Sequence, residues 1–250
     1  MGRFAHMVHP ISASGFGSDA DRYERGRPGY PTVALADLPL ATPILDLAAG
    51  TGKLTRVLAD LAAPVFALEP SAEMRRVLAQ QVPSVPLVAG VAERLPFADG
   101  SLGTITVAQA FRWFDHSRAW DEFRRVLRRG GAFVLVENGE VGNEPWLEEC
   151  MAIRRRIEDG VGRPPNWHEL SVPSESVEGF DGPHLDTFEN PTEYDRTRLL
   201  DRFGSMSVIA SLPDEERVEA LDAIGAVFDR QGRDSLVIRF LTRRWVWRRR

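Results

Sequence analysis

The chain predicts an α/β fold, a doubly wound and mostly parallel sheet with helices on both faces, and three observations support this. Between Ile44 and Glu137, short apolar runs of strand length alternate with stretches of helical period, the pattern of repeated strand–helix–strand units. Gly50-Thr51-Gly52 stands where the first run hands over to the first helix, the place where such sheets take their ligands. The 250 residues, 43% hydrophobic and 27% charged, are ordinary for a globular chain of one or two domains.

The elements follow in order. Met1 to Ser18 is small, polar and expected to fray, and Asp19 to Pro39 reads as short helical pieces broken by Pro28, Pro31 and Pro39. Ile44 to Ala48 is the first strand, and Leu54, Val57, Leu58 and Leu61 follow at helical spacing. Val65 to Leu68 is the second strand, after which Ser71 caps a helix whose face carries Met74, Val77 and Leu78. Further strands are expected at Leu87 to Ala89, Leu102 to Val107 and Ala132 to Glu137, with a helix through Ala119, Phe123, Val126 and Leu127 before the last. After Asn138 the texture changes. Trp146 to Asp159 reads as an amphipathic helix, and Gly160 to Pro183, which holds Pro164, Pro165 and Pro173, reads as loop. Leu199, Leu200 and Phe203 suggest one more helix, and Val218, Leu221, Ile224, Val227 and Phe228 another, opened by Pro213. Leu236 to Trp247 is strand-like. The expected organisation is a flexible end (1–18), a core with its N-terminal cover (19–139), an insert (140–205), and a last helix and strand that complete the sheet (206–250).

Charge and cysteine content narrow the function classes. With 36 acidic and 31 basic residues the net charge is -5, so no overall positive field exists to hold a polyphosphate, and nucleic acid is not the expected partner. The single Cys150 makes neither an internal disulfide nor a cysteine metal site, and no metal is expected. No run of about 18 apolar residues is present to span a bilayer. Arg3, His6, His9 and Pro10 interrupt the start, which argues against a signal segment and for a cytoplasmic protein.

The strongest local signal is Asp46-Leu47-Ala48-Ala49-Gly50-Thr51-Gly52-Lys53-Leu54. Glycines at a strand-to-helix turn let the backbone approach a ligand closely, and the free amides of the helix start favour an anionic group. A Walker loop would need glycine at Leu47 and a hydroxyl residue at Leu54, so that reading fails. A dinucleotide fingerprint would need a small residue at Thr55, which weakens that one. Glu69 ends the next strand at the spacing of a carboxylate that accepts bonds from ribose hydroxyls, and standing alone it would read as a solvated acid before a helix. Gly90 to Phe97 follows the third strand, where a backbone amide and a carboxylate can meet the polar edge of an adenine. Gln109-Ala110-Phe111-Arg112-Trp113-Phe114 follows the fourth, with Trp113 assigned to the pocket and Phe114 to the core.

Together, Asp46 to Leu54, Glu69-Pro70-Ser71, Ala92-Glu93-Arg94-Leu95-Pro96 and Leu127-Arg128-Arg129-Gly130-Gly131 resemble the motif series of class I S-adenosylmethionine-dependent methyltransferases. The opening Phe16-Gly17 to Tyr23, then Arg27-Pro28-Gly29-Tyr30-Pro31, resembles the branch related to trans-aconitate methyltransferases. The resemblance implies a Rossmann-like sheet of seven strands, with an inserted helical cap after the fifth, and S-adenosylmethionine as cofactor. It implies that Ala48, Gly50 and Gly52, within the Asp46 to Leu54 loop, pass under the methionine part of the cofactor. Glu69, with Pro70 and Met74 beside it, would hold the ribose, and Ala92 and Glu93 would flank the adenine. Gln109, Ala110 and Trp113 would lie near the sulfonium end, and Tyr23 and Arg27 would fold over the cofactor. Ala48 replaces a common glycine, a change expected to be harmless if its φ stays negative. Arg112 stands where relatives often carry histidine.

Methyl transfer is an in-line displacement that needs alignment in a water-poor site more than acid–base groups. A hydroxyl or amine acceptor would want a base, for which His116 and Tyr23 are candidates, although His116 also reads as a plain helix start after Asp115. Arg27 and Arg112 read either as clamps for an acceptor carboxylate or as ion-pair partners. The insert after Glu140, with Trp146, Trp167, His168 and Phe180, reads as a substrate cover, a packing subdomain or a dimer contact. Three classes stay open: a methyltransferase acting on a small molecule as monomer or homodimer, an NAD-dependent oxidoreductase on a similar sheet, and a non-catalytic cofactor-binding module.

Overall fold

The computed structural model describes residues 19–142, 144–160 and 177–250. Chain order runs α1 (Ala20–Gly26), α2 (Val33–Ala36), β1 (Ile44–Leu47), α3 (Lys53–Leu61), β2 (Val65–Leu68), α4 (Ala72–Gln81), β3 (Leu87–Val88) and β4 (Leu102–Ala108). It continues with a 3-10 turn (Phe111–Trp113), α5 (His116–Val126), β5 (Leu127–Glu140), α6 (Pro145–Gly160), β6 (Phe180–Tyr194), α7 (Arg196–Gly204), α8 (Ser207–Ala210), α9 (Asp214–Asp229) and β7 (Leu236–Arg249).

Seven strands form one sheet in the order β3-β2-β1-β4-β5-β7-β6. β1 pairs in parallel with β2 and β4, β2 with β3, and β4 with β5. This is the mostly parallel α/β sheet expected from the alternation of apolar runs. The strand period of two sends alternate side chains to opposite faces. Leu45, Leu47, Phe133 and Leu135 join one buried cluster, while Ile44, Val134 and Val136 join another. Both faces are therefore covered, which is why these strands are apolar throughout rather than alternating.

Two compact units can be distinguished among the described residues. One comprises 29–139, 177–190 and 241–250; the other comprises 19–28, 140–142, 144–160 and 191–240. In the first, Trp120 stands at the centre of an aromatic cluster, its ring 5.0 Å from those of Phe133 and Phe180 and 5.4 Å from that of Trp247. In the second, Trp146, Cys150, Leu199, Phe203, Ile224, Phe228 and Phe240 pack together. The helical faces marked by Leu199 and Phe203, and by Ile224, Val227 and Phe228, supply much of that core, as their spacing predicts.

Several boundaries differ from expectation, β5 among them, which opens at Leu127, a residue expected on the preceding helix, and runs to Glu140 rather than spanning Ala132 to Glu137. β1 ends at Leu47 rather than Ala48, because Ala48 takes a left-handed conformation. Phe180 to Pro183 begins β6 rather than ending a loop, and the rest of that expected loop, 161–176, lies outside the described residues, as do Trp167 and His168. β6 escapes sequence reading because Gly182, Pro183 and Pro191 are turn formers. Its place at the end of the strand order accommodates them, since an edge strand needs only one ladder of hydrogen bonds.

Candidate active site

The parallel register aligns the strand ends of the sheet unit. Leu47 is level with Leu68, with Val107 and, through β4, with Leu135. The next residues, Ala48, Glu69, Ala108 and Val136, therefore share one carboxyl edge, with Gln109 and Glu137 one step further. Ligands of open α/β sheets bind at this edge.

The loop after β1 is tightly turned. Ala48 has φ 55°, Gly50 φ 58° and Gly52 φ 89°. The condition under which alanine would replace glycine harmlessly there, a negative φ, is thus not met. The turn that lets the Ala49 amide donate to Leu68 O (3.1 Å) requires the left-handed region, which costs an alanine roughly 1 kcal/mol or more. Gln109 is the other described non-glycine residue with positive φ, at 59°. Its amide donates to Val136 O (3.1 Å) and its Nε2 to Asn138 O (3.0 Å), so backbone strain is stored at two points of one edge.

Glu69 is tied to this loop. Its carboxylate accepts from the Gly50 amide (2.9 Å) through one oxygen and from the Ser71 amide (2.8 Å) through the other. Ser71 caps α4 as its sequence position predicts, its hydroxyl accepting from the Met74 amide (3.3 Å). Pro70 is exposed, and Met74 is buried beneath α4. Asp46 is fully buried and faces inward, accepting from the hydroxyls of Thr55 (2.6 Å) and Thr106 (3.0 Å). Thr55, which weakened a dinucleotide reading, is thereby explained as the residue that joins α3 to β1. Leu54 packs with Leu58 and Val65 in the core.

After β3, Ala92 is buried and Glu93 accepts from the Asp115 amide (2.8 Å). Ala110 and Trp113 are half-buried against the aromatic cluster, and Phe114 lies within it. His116 stacks on Phe111 with centroids 4.5 Å apart, and its Nε2 lies 3.1 Å from Phe111 O. Arg112 meets Glu137, the guanidinium 3.6 Å from a carboxylate oxygen. Glu137 was not among the residues expected at the site. The one sign of it in the sequence is a carboxylate closing the apolar run Ala132 to Val136. Tyr23 and Arg27 belong to the other unit, where Arg27 lies over the Tyr23 ring (5.3 Å) and donates to Ser205.

Comparison with known proteins bears on what this edge does. Residues 45–135 match the methyltransferase domain family. An uncharacterized methyltransferase of Mycobacterium tuberculosis (strain H37Rv) is 36% identical over 211 residues, covering 84% of this chain and 83% of its own. The chain belongs to the methyltransferase family. A methyltransferase-like protein of Schizosaccharomyces pombe, also uncharacterized, is 30% identical over 94% of this chain and 96% of its own. In fold, a solved chain from Anaeromyxobacter dehalogenans, a proposed type II methyltransferase, superposes with TM-score 0.60 at 24% identity over 90% of this chain and 97% of its own. Among the described residues no helix is long and apolar enough to cross a membrane.

The electrostatics of this carboxyl edge are dominated by buried carboxyls. Burial pushes Asp46 up to about 7, with the Thr55 and Thr106 hydroxyls opposing and the Glu69 charge adding. Burial likewise raises Glu137 to about 7 against the pull of Arg112. It raises Glu69 as well, while the Ser71 and Gly50 amides hold it down. A carboxyl with a higher pKa folded than unfolded stabilises most below its unfolded value, and that stability is lost as pH rises through the folded one. The chain should therefore lose stability between pH 4 and 7 on account of these groups. Asp37 and Glu122, held low by Arg244 and Arg125 respectively, act in the opposite sense at lower pH. Asp46→Asn, which mimics the protonated form, should flatten the loss by up to ~4 kcal/mol, the scale of a three-unit shift. Urea unfolding at pH 4 and pH 8 measures it. Equal pH dependence in variant and wild type would show that Asp46 titrates normally.

Proposed function

We propose that the chain transfers a methyl group from S-adenosylmethionine to a small-molecule acceptor. The observation that carries this reading is the Glu69 carboxylate, buried at the carboxyl edge and held by the Gly50 and Ser71 amides. A carboxylate accepts about four hydrogen bonds, so two positions remain for the paired hydroxyls of a ribose. Space for a ligand is found at Gly50, where a Cβ would meet nothing within 4 Å. These residues fit the cofactor. When bound, it supplies an activated methyl group on a sulfonium.

In this reading Gly50 and Gly52 let the backbone pass under the methionine part, and Ala92 and Glu93 border the adenine. Gln109, fixed by Asn138 and by its own strained backbone, shapes the end nearest the sulfonium. His116 is engaged with Phe111 and serves the packing of α5. A carboxylate acceptor needs no base, because it is ionised before it binds, and the resemblance to trans-aconitate methyltransferases supports an acceptor of that kind.

S-adenosylhomocysteine should raise the melting temperature, while NAD should not. Glu69→Ala should weaken S-adenosylhomocysteine about tenfold or more by calorimetry, since charge-assisted hydrogen bonds are worth roughly 1.5–3 kcal/mol. A larger shift with NAD would favour an oxidoreductase. Binding without labelled-methyl transfer into any of a panel of carboxylates, phenols and amines would favour a module that binds cofactor without catalysis.

A further inference from the structure

The second unit concentrates arginines around the crossing of α1 and α7. α1 and α7 touch at Gly26, where a Cβ would come within 2.2 Å of the Arg202 amide nitrogen. This close crossing brings Arg27 to Ser205: Arg27 Nε donates to Ser205 Oγ (2.9 Å) and its Nη2 to Ser205 O (3.1 Å). The same hydroxyl donates to Arg202 O (2.8 Å), so Ser205 links the two arginines. Arg202 is 2% exposed, with its guanidinium 5.2 Å from the Phe240 ring centroid and 5.9 Å from that of Tyr194.

Acidic partners are already committed. Asp201 takes Arg25 (2.6 Å) and Arg22 (3.3 Å), Glu158 pairs with Arg154 (3.2 Å), and Glu140 contacts one terminal nitrogen of Arg202. Among the described residues Arg27 has no carboxylate partner; its partners are a hydroxyl, a carbonyl and the Tyr23 ring. Arg202 Nε and the Tyr194 hydroxyl are buried and make no hydrogen bond there. Burial first, and the charge of Arg27 second, push Arg202 down to about 9, and Arg27 also opposes the rise that burial imposes on Tyr194. A buried guanidinium nitrogen and a buried hydroxyl without acceptors, Arg202 Nε and the Tyr194 hydroxyl, are expensive to keep, and an oxyanion can accept from groups of both kinds.

We propose that Arg27, Arg202 and the Tyr194 hydroxyl form a binding site for the oxyanion of a small ligand, a carboxylate or a phosphate. Planar guanidinium forks suit both groups and fix their direction as well as their charge. The inference does not depend on the methyl-transfer reading.

Calorimetry on the full chain, titrated with malonate and with inorganic phosphate against sodium chloride of equal ionic strength, tests it. Binding of malonate alone identifies a carboxylate site, and binding of phosphate alone a phosphate site. Tyr194→Phe keeps the ring and removes the hydroxyl, and should weaken the bound anion about tenfold, the scale of one charge-assisted hydrogen bond. Arg202→Gln should abolish binding, and if that variant does not fold, Tyr194→Phe decides. Neither anion binding, or binding that Tyr194→Phe leaves unchanged, overturns the proposal. S-adenosylhomocysteine binding by the wild type is read in the same series, so either reading can fail without the other.

Discussion

Gly50→Val removes the rise in melting temperature that S-adenosylhomocysteine gives the wild-type chain. A ligand that binds only the folded state stabilises it by RT ln(1 + [L]/Kd), roughly 2.7 kcal/mol at a hundredfold excess over Kd. The valine Cβ enters the space that Gly50 leaves open, where it meets no protein atom within 4 Å, so the loss is expected to fall on the ligand rather than on the core. A separate cost falls on the backbone. At φ 58° a side chain is strained by roughly 1–2 kcal/mol, and the Gly50 amide that holds Glu69 shifts with it. Gly50→Ala separates these effects, because alanine is already tolerated in the same conformation at Ala48. It should keep the fold and lose only part of the affinity. Thermal melts with and without S-adenosylhomocysteine, beside far-UV circular dichroism, give both readouts. An undiminished ligand shift in Gly50→Val would place the cofactor away from this loop.

Trp247→Ala costs roughly 3–5 kcal/mol of stability. Trp247 is wholly buried, with its ring 5.4 Å from that of Trp120 and 5.2 Å from that of Phe133. Truncation leaves a cavity in the aromatic cluster that also holds Phe111, Phe123 and Phe180. Against a total stability of about 5–15 kcal/mol this is a large fraction. Trp247→Phe should cost much less. The ring is largely kept, and the indole nitrogen lost with it has no hydrogen-bond partner among the described residues. Urea denaturation of both variants measures the difference. A loss under about 1 kcal/mol for the alanine variant would show that the cluster repacks around the gap.

Local pattern alone defines the first four strands to within about one residue and finds the centre of the fifth, which runs from Leu127 to Glu140 rather than from Ala132 to Glu137. Each is an apolar run flanked by turn formers, and burial on both faces removes any need for alternation. Ser71 and Pro213 are legible as helix starts for the same local reason: one hydroxyl can reach an amide three residues on, and one fixed φ suits a first turn. Glu69 is legible because its spacing from the loop is set by the length of a single strand–helix–strand unit.

β6 is not legible. Its prolines and glycine mark a turn in sequence, and only its place at the end of the strand order makes them tolerable. The conformation of Ala48 is hidden for a related reason, since it is imposed by a hydrogen bond from Ala49 to Leu68 on the neighbouring strand. His116 and Arg112 have side chains whose chemistry suits catalysis, yet their neighbours Phe111 and Glu137 are set by packing and by strand register. Arg27 meets Ser205 across more than 170 residues of sequence. Sequence by itself determined what depends on neighbours along the chain: the α/β sheet, the glycine turn and the carboxylate one unit beyond it. Tertiary structure alone decided which charges meet and which polar groups are buried without partners. Those depend on distances between segments that no local spacing encodes.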